Sequence, residues 1–115
     1  MYKKANLTGR FAPSPSGVMH LGNLSSYLLA WLDARSNGGK IILRIEDLDP
    51  DRCSKGYVKQ LADDLRFLGL DWDNKLSDEY YQSSRTALYE DVFERLLKRD
   101  MLYPCYCSRS QRLAA

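Results

Sequence analysis

The chain holds 115 residues with a formal net charge of +2, 44% apolar and 28% charged residues, the balance of one globular unit with a modest core. One compact domain is the expectation for that length; no apolar run is long enough to cross a membrane, and Met1–Asn6 lacks the apolar stretch of a secretion signal. The charge total is too small to announce a nucleic-acid surface, although it is blind to a basic face concentrated on one side.

Cys53, Cys105 and Cys107 make an odd count, and a C-x-C pair seldom closes on itself as a disulfide. A reducing compartment, the cytoplasm, is the expected location, with no membrane partner.

In chain order, Leu7 to Ala12 form a predicted strand, broken by Pro13, Pro15 and Gly17. His20-Leu21-Gly22-Asn23 then open a helix on which Leu24, Tyr27, Leu28, Trp31 and Leu32 recur at helical spacing, and Asn37-Gly38-Gly39 ends it. Lys40 to Glu46 is a β-branched run of strand length, and a right-handed crossover from the first strand makes the pair parallel. Ser54 caps a second helix carrying Val58, Leu61, Ala62, Leu65 and Leu68, with Gly69 at its stop. A polar connection from Trp72 leads to a short extended piece at Tyr80-Tyr81-Gln82. Ser84 opens a third helix with Leu88, Val92, Leu96 and Leu97 on one face, and Leu102 to Cys107 read as extended. No internal repeat or flexible linker interrupts this α/β order.

The segment from Arg10 to Asn23 is the most informative. It lies at the C-terminal end of the first strand, the edge where open parallel sheets place ligands, and runs into a helix whose free N–H groups and positive dipole end suit a polyphosphate. Arg10 can make a charge-assisted pair with a carboxylate, and His20, the chain's single histidine, can donate to phosphate oxygens. On their own, a surface arginine beside a proline turn and a histidine capping a helix are the plainer readings. Glu46, at the end of the second strand, faces the same edge. Asp47, Asp49 and Asp51 lack the ligand spacing of an EF-hand; Asp47 and Asp49 read as loop-shaping or hydrogen-bonding groups, with Arg52 bracing the acidic loop. Cys105 and Cys107 fit either half of a zinc site or two small apolar residues.

Three motifs in order, Thr8-Gly9-Arg10-Phe11-Ala12-Pro13-Ser14-Pro15-Ser16-Gly17 with His20-Leu21-Gly22-Asn23, then Leu43-Arg44-Ile45-Glu46-Asp47-Leu48-Asp49-Pro50, then Tyr103-Pro104-Cys105-Tyr106-Cys107, run over nearly the whole chain. Together they resemble the class I aminoacyl-tRNA synthetases of the glutamyl and glutaminyl branch, most of all its short glutamyl-Q tRNA(Asp) group. Asn23 stands where the family's HIGH signature has its second histidine.

The resemblance implies the N-terminal half of a Rossmann-like catalytic domain, parallel strands with flanking helices, over residues 1–104, and the start of an incomplete zinc-binding insertion over 105–115. It implies ATP-dependent activation of glutamate and transfer to tRNA, in the glutamyl-Q group to queuosine of tRNA(Asp), by a monomeric enzyme. His20, Gly22 and Asn23 would serve catalysis, His20 and Gly22 also binding ATP. Arg10, Phe11, Ala12, Pro13, Ser14 and Glu46 would hold glutamate. Mg2+ would accompany ATP, and Cys105 and Cys107 would bind Zn2+. The family's lysine-rich KMSKS loop is nowhere in this sequence, so the isolated chain is expected to be inactive. The alternatives are a piece of a true glutamyl-tRNA synthetase, a non-catalytic nucleotide- or RNA-binding module, and a nucleotidylyltransferase sharing the H-x-G-x loop.

Overall fold

The computed structural model describes residues 7–113, which divide between Arg85 and Thr86 into two units. In the first, Thr8–Phe11 (β1) and Lys40–Leu43 (β2) pair in parallel, with Gly9 opposite Ile41 and Phe11 opposite Leu43. The connecting helix Leu21–Ser36 (α1) makes the crossover, and a second helix, Lys55–Phe67 (α2), follows β2. Ile45 forms a further parallel bridge with Tyr81, so the predicted extended piece is a single bridging residue between 3-10 turns at Asp78–Tyr80 and Ser83–Arg85.

The core follows from strand alternation. Phe11, Ile41, Leu43 and Ile45 are fully buried, joined by Tyr27 and Ala34 of α1 and by Val58, Leu61 and Leu65 of α2. Phe11 and Tyr27 pack against each other in a tilted arrangement, with ring centroids 5.2 Å apart. Helix α1 lies so close to β1 that a Cβ on Gly9 would come within 2.7 Å of Ile41 Cδ1 and 3.3 Å of the Ala30 carbonyl. The apolar positions predicted on α1 separate: Tyr27 is buried and Leu24 and Trp31 half-buried, but Leu28 and Leu32 are exposed. Helix α2 matches its prediction more closely. Ser54 Oγ accepts from Tyr57 N–H, and the chain turns out of the helix at Gly69, where φ is +74°.

The edge of β2 away from β1 is closed by side chains. Ile41 N–H donates to Asp73 Oδ2 at 2.7 Å while its carbonyl accepts from Asp73 N–H at 2.8 Å. Two residues on, Leu43 N–H donates to Asn74 Oδ1 at 2.7 Å and the Leu43 carbonyl accepts from Asn74 Nδ2 at 3.0 Å. The Asn74 amide therefore acts as a substitute peptide group. Arg35 of α1 pairs with Asp73 at 2.9 Å and Asp71 at 3.0 Å, and Trp31 Nε1 donates to Asp71 at 2.7 Å. A polar strap thus ties α1 to the edge of β2.

In the second unit, Thr86–Leu97 (α3) and the short Arg109–Leu113 (α4) flank a stretch without regular structure. The third helix predicted from Ser84 begins two residues later, after the 3-10 turn. Its apolar face is present, but no residue of α3 is buried. Helix α4 is an element the sequence pattern does not announce.

The strap has measurable consequences. Asp73→Ala leaves the Ile41 N–H without its acceptor and is expected to cost about 1–3 kcal/mol, read as a lower urea midpoint at unchanged slope; Asp73→Asn, which keeps an oxygen there, should lose less. Asp73 is held below the usual carboxylate range by the Ile41 N–H and then by Arg35, and Asp71 by the Trp31 N–H and then by Arg35. Stability from such depressed groups is present above the unfolded value near ~4 and is lost as pH falls through the lower folded values. Thermal melts should fall more steeply below about pH 4 in the wild-type chain than in the Asp71→Asn/Asp73→Asn double variant.

Candidate functional site

The proline loop is laid against the strand that follows. Arg44 N–H donates to the Phe11 carbonyl at 2.9 Å, Glu46 N–H to Pro13 at 2.9 Å, and Ser54 N–H to Pro15 at 3.1 Å. Pro13 and Pro15 have no N–H to return, so regular pairing stops at Phe11 and Leu43 while the loop stays docked. Both prolines are buried. Loop and strand together fix Arg10, Ser14, Arg44 and Glu46 at the C-terminal end of the sheet.

At the far end of the loop, His20 caps α1. Its Nδ1 accepts from Gly22 N–H at 3.1 Å, and its own N–H donates to Asn23 Oδ1 at 3.3 Å. The cap commits Nδ1 as an acceptor, so the neutral ring carries its proton on Nε2. Asn23, the departure from the family's second histidine, closes the reciprocal half of this cap. Gly22 is required by close approach, because a Cβ there would lie 2.9 Å from His20 Cε1 and 3.0 Å from Nδ1.

Two adjacent clefts receive Arg10, Ser14 and Glu46, while Phe11, Ala12 and Pro13 line neither and Phe11 is buried in the core. One of about 610 Å³ is lined by Thr8, Arg10, Ile42, Arg44, Glu79 and Arg85, among others. Its even-numbered strand residues mark the sheet face opposite the core-facing Phe11 and Leu43. The second, about 410 Å³, takes Ser14, Ser16, Glu46, Asp49, Arg52 and Cys53. An ion pair joins them: Glu46 Oε1 accepts from Arg44 Nε at 2.7 Å and lies 2.5 Å from Arg44 Nη2, both side chains under a third exposed. His20 and Gly22 line neither cleft. The predicted residues are therefore brought to one edge of the sheet but not to one cavity.

Asp47 accepts from Ser83 N–H at 3.0 Å and Ser83 Oγ at 2.6 Å, and the Asp49 carbonyl accepts from Arg52 and Cys53 N–H groups, so these two aspartates shape the loop. Cys105 and Cys107 are exposed free thiols in the second unit. Two thiolates are half of a tetrahedral zinc site, and no group of three or more His, Cys, Asp or Glu able to hold a metal is present among the described residues. The described residues do not complete a zinc site. Sequence reasoning passed over Arg44 and Arg85. Arg44 was accessible, since it shares a strand face with Glu46 at spacing two; Arg85 carried no signal, because its position depends on the bridge at Tyr81.

Residues 6–113 match the family model of the tRNA synthetases class I (E and Q), catalytic domain. The chain is 52% identical over 113 residues to the glutamyl-Q tRNA(Asp) synthetase of Symbiobacterium thermophilum, covering 94% of this chain and 35% of that protein. It is 46% identical over 110 residues to the protein of the same name from Nitratidesulfovibrio vulgaris, covering 91% and 34%. Among solved structures, a glutamate tRNA ligase from Elizabethkingia meningosepticum in complex with its amino acid matches with a TM-score of 0.78 at 33% identity, over 96% of this chain and 23% of that one. The α/β arrangement of parallel strands and helices agrees with that neighbour. The chain spans about a third of the length of the curated relatives it matches.

The cap geometry predicts a selective effect of one methyl group. Gly22→Ala should push the His20 ring off the helix end without unfolding the chain, costing about 1 kcal/mol of stability. The ¹⁵N resonance of His20 Nδ1 should move toward that of an exposed imidazole; an unchanged Nδ1 signal would contradict the cap.

Proposed function

Because the chain belongs to the class I glutamyl- and glutaminyl-tRNA synthetase catalytic-domain family, we propose that it is the glutamate- and ATP-handling corner of a ligase that forms glutamyl-adenylate and passes the glutamyl group to tRNA, with queuosine of tRNA(Asp) as acceptor. In the first step a carboxylate oxygen of glutamate attacks the α-phosphorus of ATP and the bond to pyrophosphate breaks. In the second, an acceptor hydroxyl attacks the activated carbonyl and AMP leaves. Neither step needs a covalent bond to the protein, so catalysis rests on placement and fixed charge.

The observation that carries the reading is the His20 cap. With Nδ1 occupied by Gly22 N–H, the imidazole presents Nε2–H as a donor beside the positive end of α1. It acts as a stabiliser of phosphate charge and not as a base. Gly22 keeps that ring in place, and Asn23 holds the other half of the cap. Mg2+ belongs to the ATP and supplies charge neutralisation on its phosphates.

Arg10 pairs with a carboxylate of glutamate, and Ser14 with the backbone of Phe11, Ala12 and Pro13 shapes the amino-acid pocket. Glu46 accepts from the α-ammonium. The Arg44–Glu46 pair means that the ammonium enters by exchange with a guanidinium, so the Glu46 carboxylate is oriented beforehand. Cys105 and Cys107 would supply two thiolates to a zinc site that needs two further ligands, and no step passes through zinc.

Queuosine as acceptor is supported by the names of the curated relatives. A second reading, transfer to the terminal ribose of tRNA(Glu), is favoured by the likeness to a solved glutamate tRNA ligase. Glutamylation by a protein containing this chain and the other two thirds present in its relatives separates them: labelled glutamate should enter queuosine-bearing tRNA(Asp) and not tRNA(Glu). In that protein His20→Ala should lower glutamate-dependent ATP–pyrophosphate exchange by roughly 10²–10³ in kcat, the range for one preorganised donor. The 115-residue chain alone, without a lysine-rich loop in its sequence, should sustain no such exchange; robust turnover would overturn that part of the reading.

A further inference from the structure

Three guanidinium groups, those of Arg10, Arg44 and Arg85, line the cleft on the sheet face away from the core, against the single carboxylate of Glu79. Arg44 is offset by its ion pair with Glu46. Among the described residues, neither Arg10 nor Arg85 forms an ion pair, and Arg85 Nε is buried without a hydrogen-bond partner. A cationic N–H held out of water with no acceptor is unfavourable unless a ligand supplies one. The cleft beside it, about 610 Å³, has room for a small molecule.

Arg85 is also held in position. Its N–H donates to the Gln82 carbonyl at 3.0 Å, and the 3-10 turn that carries it is anchored by the Asp47–Ser83 hydrogen bonds and by Ile45, which bonds both the Tyr80 carbonyl and Gln82 N–H. With Arg44 and Glu46 cancelling, the lining keeps two cations against Glu79. This favours a ligand with net negative charge and with carboxylates that match guanidinium forks.

We propose that Arg85 is a specificity-determining residue that binds the side-chain carboxylate of an acidic amino acid in this cleft, beside Arg10. The inference rests on the reading of the chain as a glutamate-handling one. A neutral isostere such as glutamine leaves the buried Arg85 N–H without an anionic acceptor, and a site built around a charged partner discriminates strongly against an analogue that lacks it.

The test is a ¹H–¹⁵N NMR titration of the arginine Nε–Hε resonances in the 115-residue chain with L-glutamate, glutarate and L-glutamine. It is accompanied by dissociation constants for glutamate and glutamine in Arg85→Gln, Arg85→Lys and Arg10→Gln. The Arg85 Nε–Hε resonance should shift saturably with glutamate and glutarate and stay in place with glutamine. Arg85→Gln should weaken glutamate about tenfold, the loss of roughly one charge-assisted hydrogen bond, and lower its preference over glutamine by a similar factor. Arg85→Lys should retain part of the preference. If Arg10→Gln weakens glutamate while the Arg85 resonance stays fixed and Arg85→Gln binds as the wild type does, the assignment of Arg85 is wrong and the glutamate site stands. Absence of glutamate binding by the wild-type chain, or binding indifferent to Arg10, overturns the glutamate site and Arg85 with it. Should Arg85→Gln fail to fold, the wild-type resonance decides alone.

Discussion

The parallel seam between β1 and β2 is the constraint on which the rest of the first unit depends. It fixes the register that places Phe11, Leu43 and Ile45 inward and Arg10 and Arg44 outward, and it delivers the proline loop to the end of the sheet. A seam of four residue pairs is short, and two paired strands alone are marginal in water. Support comes from α1 packed on one face and from the side chains of Asp73 and Asn74 bonded along the far side of β2. Arg35 joins the two by reaching from α1 to Asp71 and Asp73. Packing and polar satisfaction therefore converge on the strand that ends in Glu46.

The charges at the C-terminal edge form a graded arrangement. Glu46 is already paired with Arg44, while Arg10 and Arg85 have no anionic partner among the described residues. On the proposed reading, an incoming amino acid would meet one carboxylate shared with a guanidinium and two cations without an anionic partner among the described residues. This order suits a zwitterion with an extra carboxylate better than a neutral side chain, and the protein supplies it before any ligand arrives. The histidine at the helix end is likewise fixed, with its ring nitrogen accepting from a backbone N–H in the first turn of the helix.

Much of the secondary structure was legible from periodicity, because α2 buries one stripe and its Ser54 and Gly69 carry the chemistry of a start and a stop. The parallel pairing followed from the handedness of the crossover. Strand lengths were overestimated at Ala12 and Glu46, since apolar run length does not register that Pro13 and Pro15 accept without donating. Helix α1 was read with too wide a buried face: Leu28 and Leu32 fit the helical spacing yet are exposed, and spacing alone does not say how much of a stripe finds a partner. The contributions of Asp73 and Asn74 were invisible, because a polar pair some thirty residues from the strand it bonds leaves no local pattern. The motif from Arg10 to Asn23 located the edge of the sheet where the candidate groups collect. It did not foretell that His20 does not line the cleft that Arg10 lines, which depends on strand alternation and on the docking of an irregular loop.

The closed flank of β2 also dictates how the sheet can be extended. With Ile41 and Leu43 bonded to Asp73 and Asn74, and Ile45 to the Tyr81 bridge, that side has no run of unpaired peptide groups to offer a newcomer. Growth is directed past β1 instead, so a later strand would reverse the order of addition at the point where the chain leaves Phe11. Such a reversal opens a crevice at the carboxyl ends of parallel strands, and here the first residues to border it would be those of the proline loop.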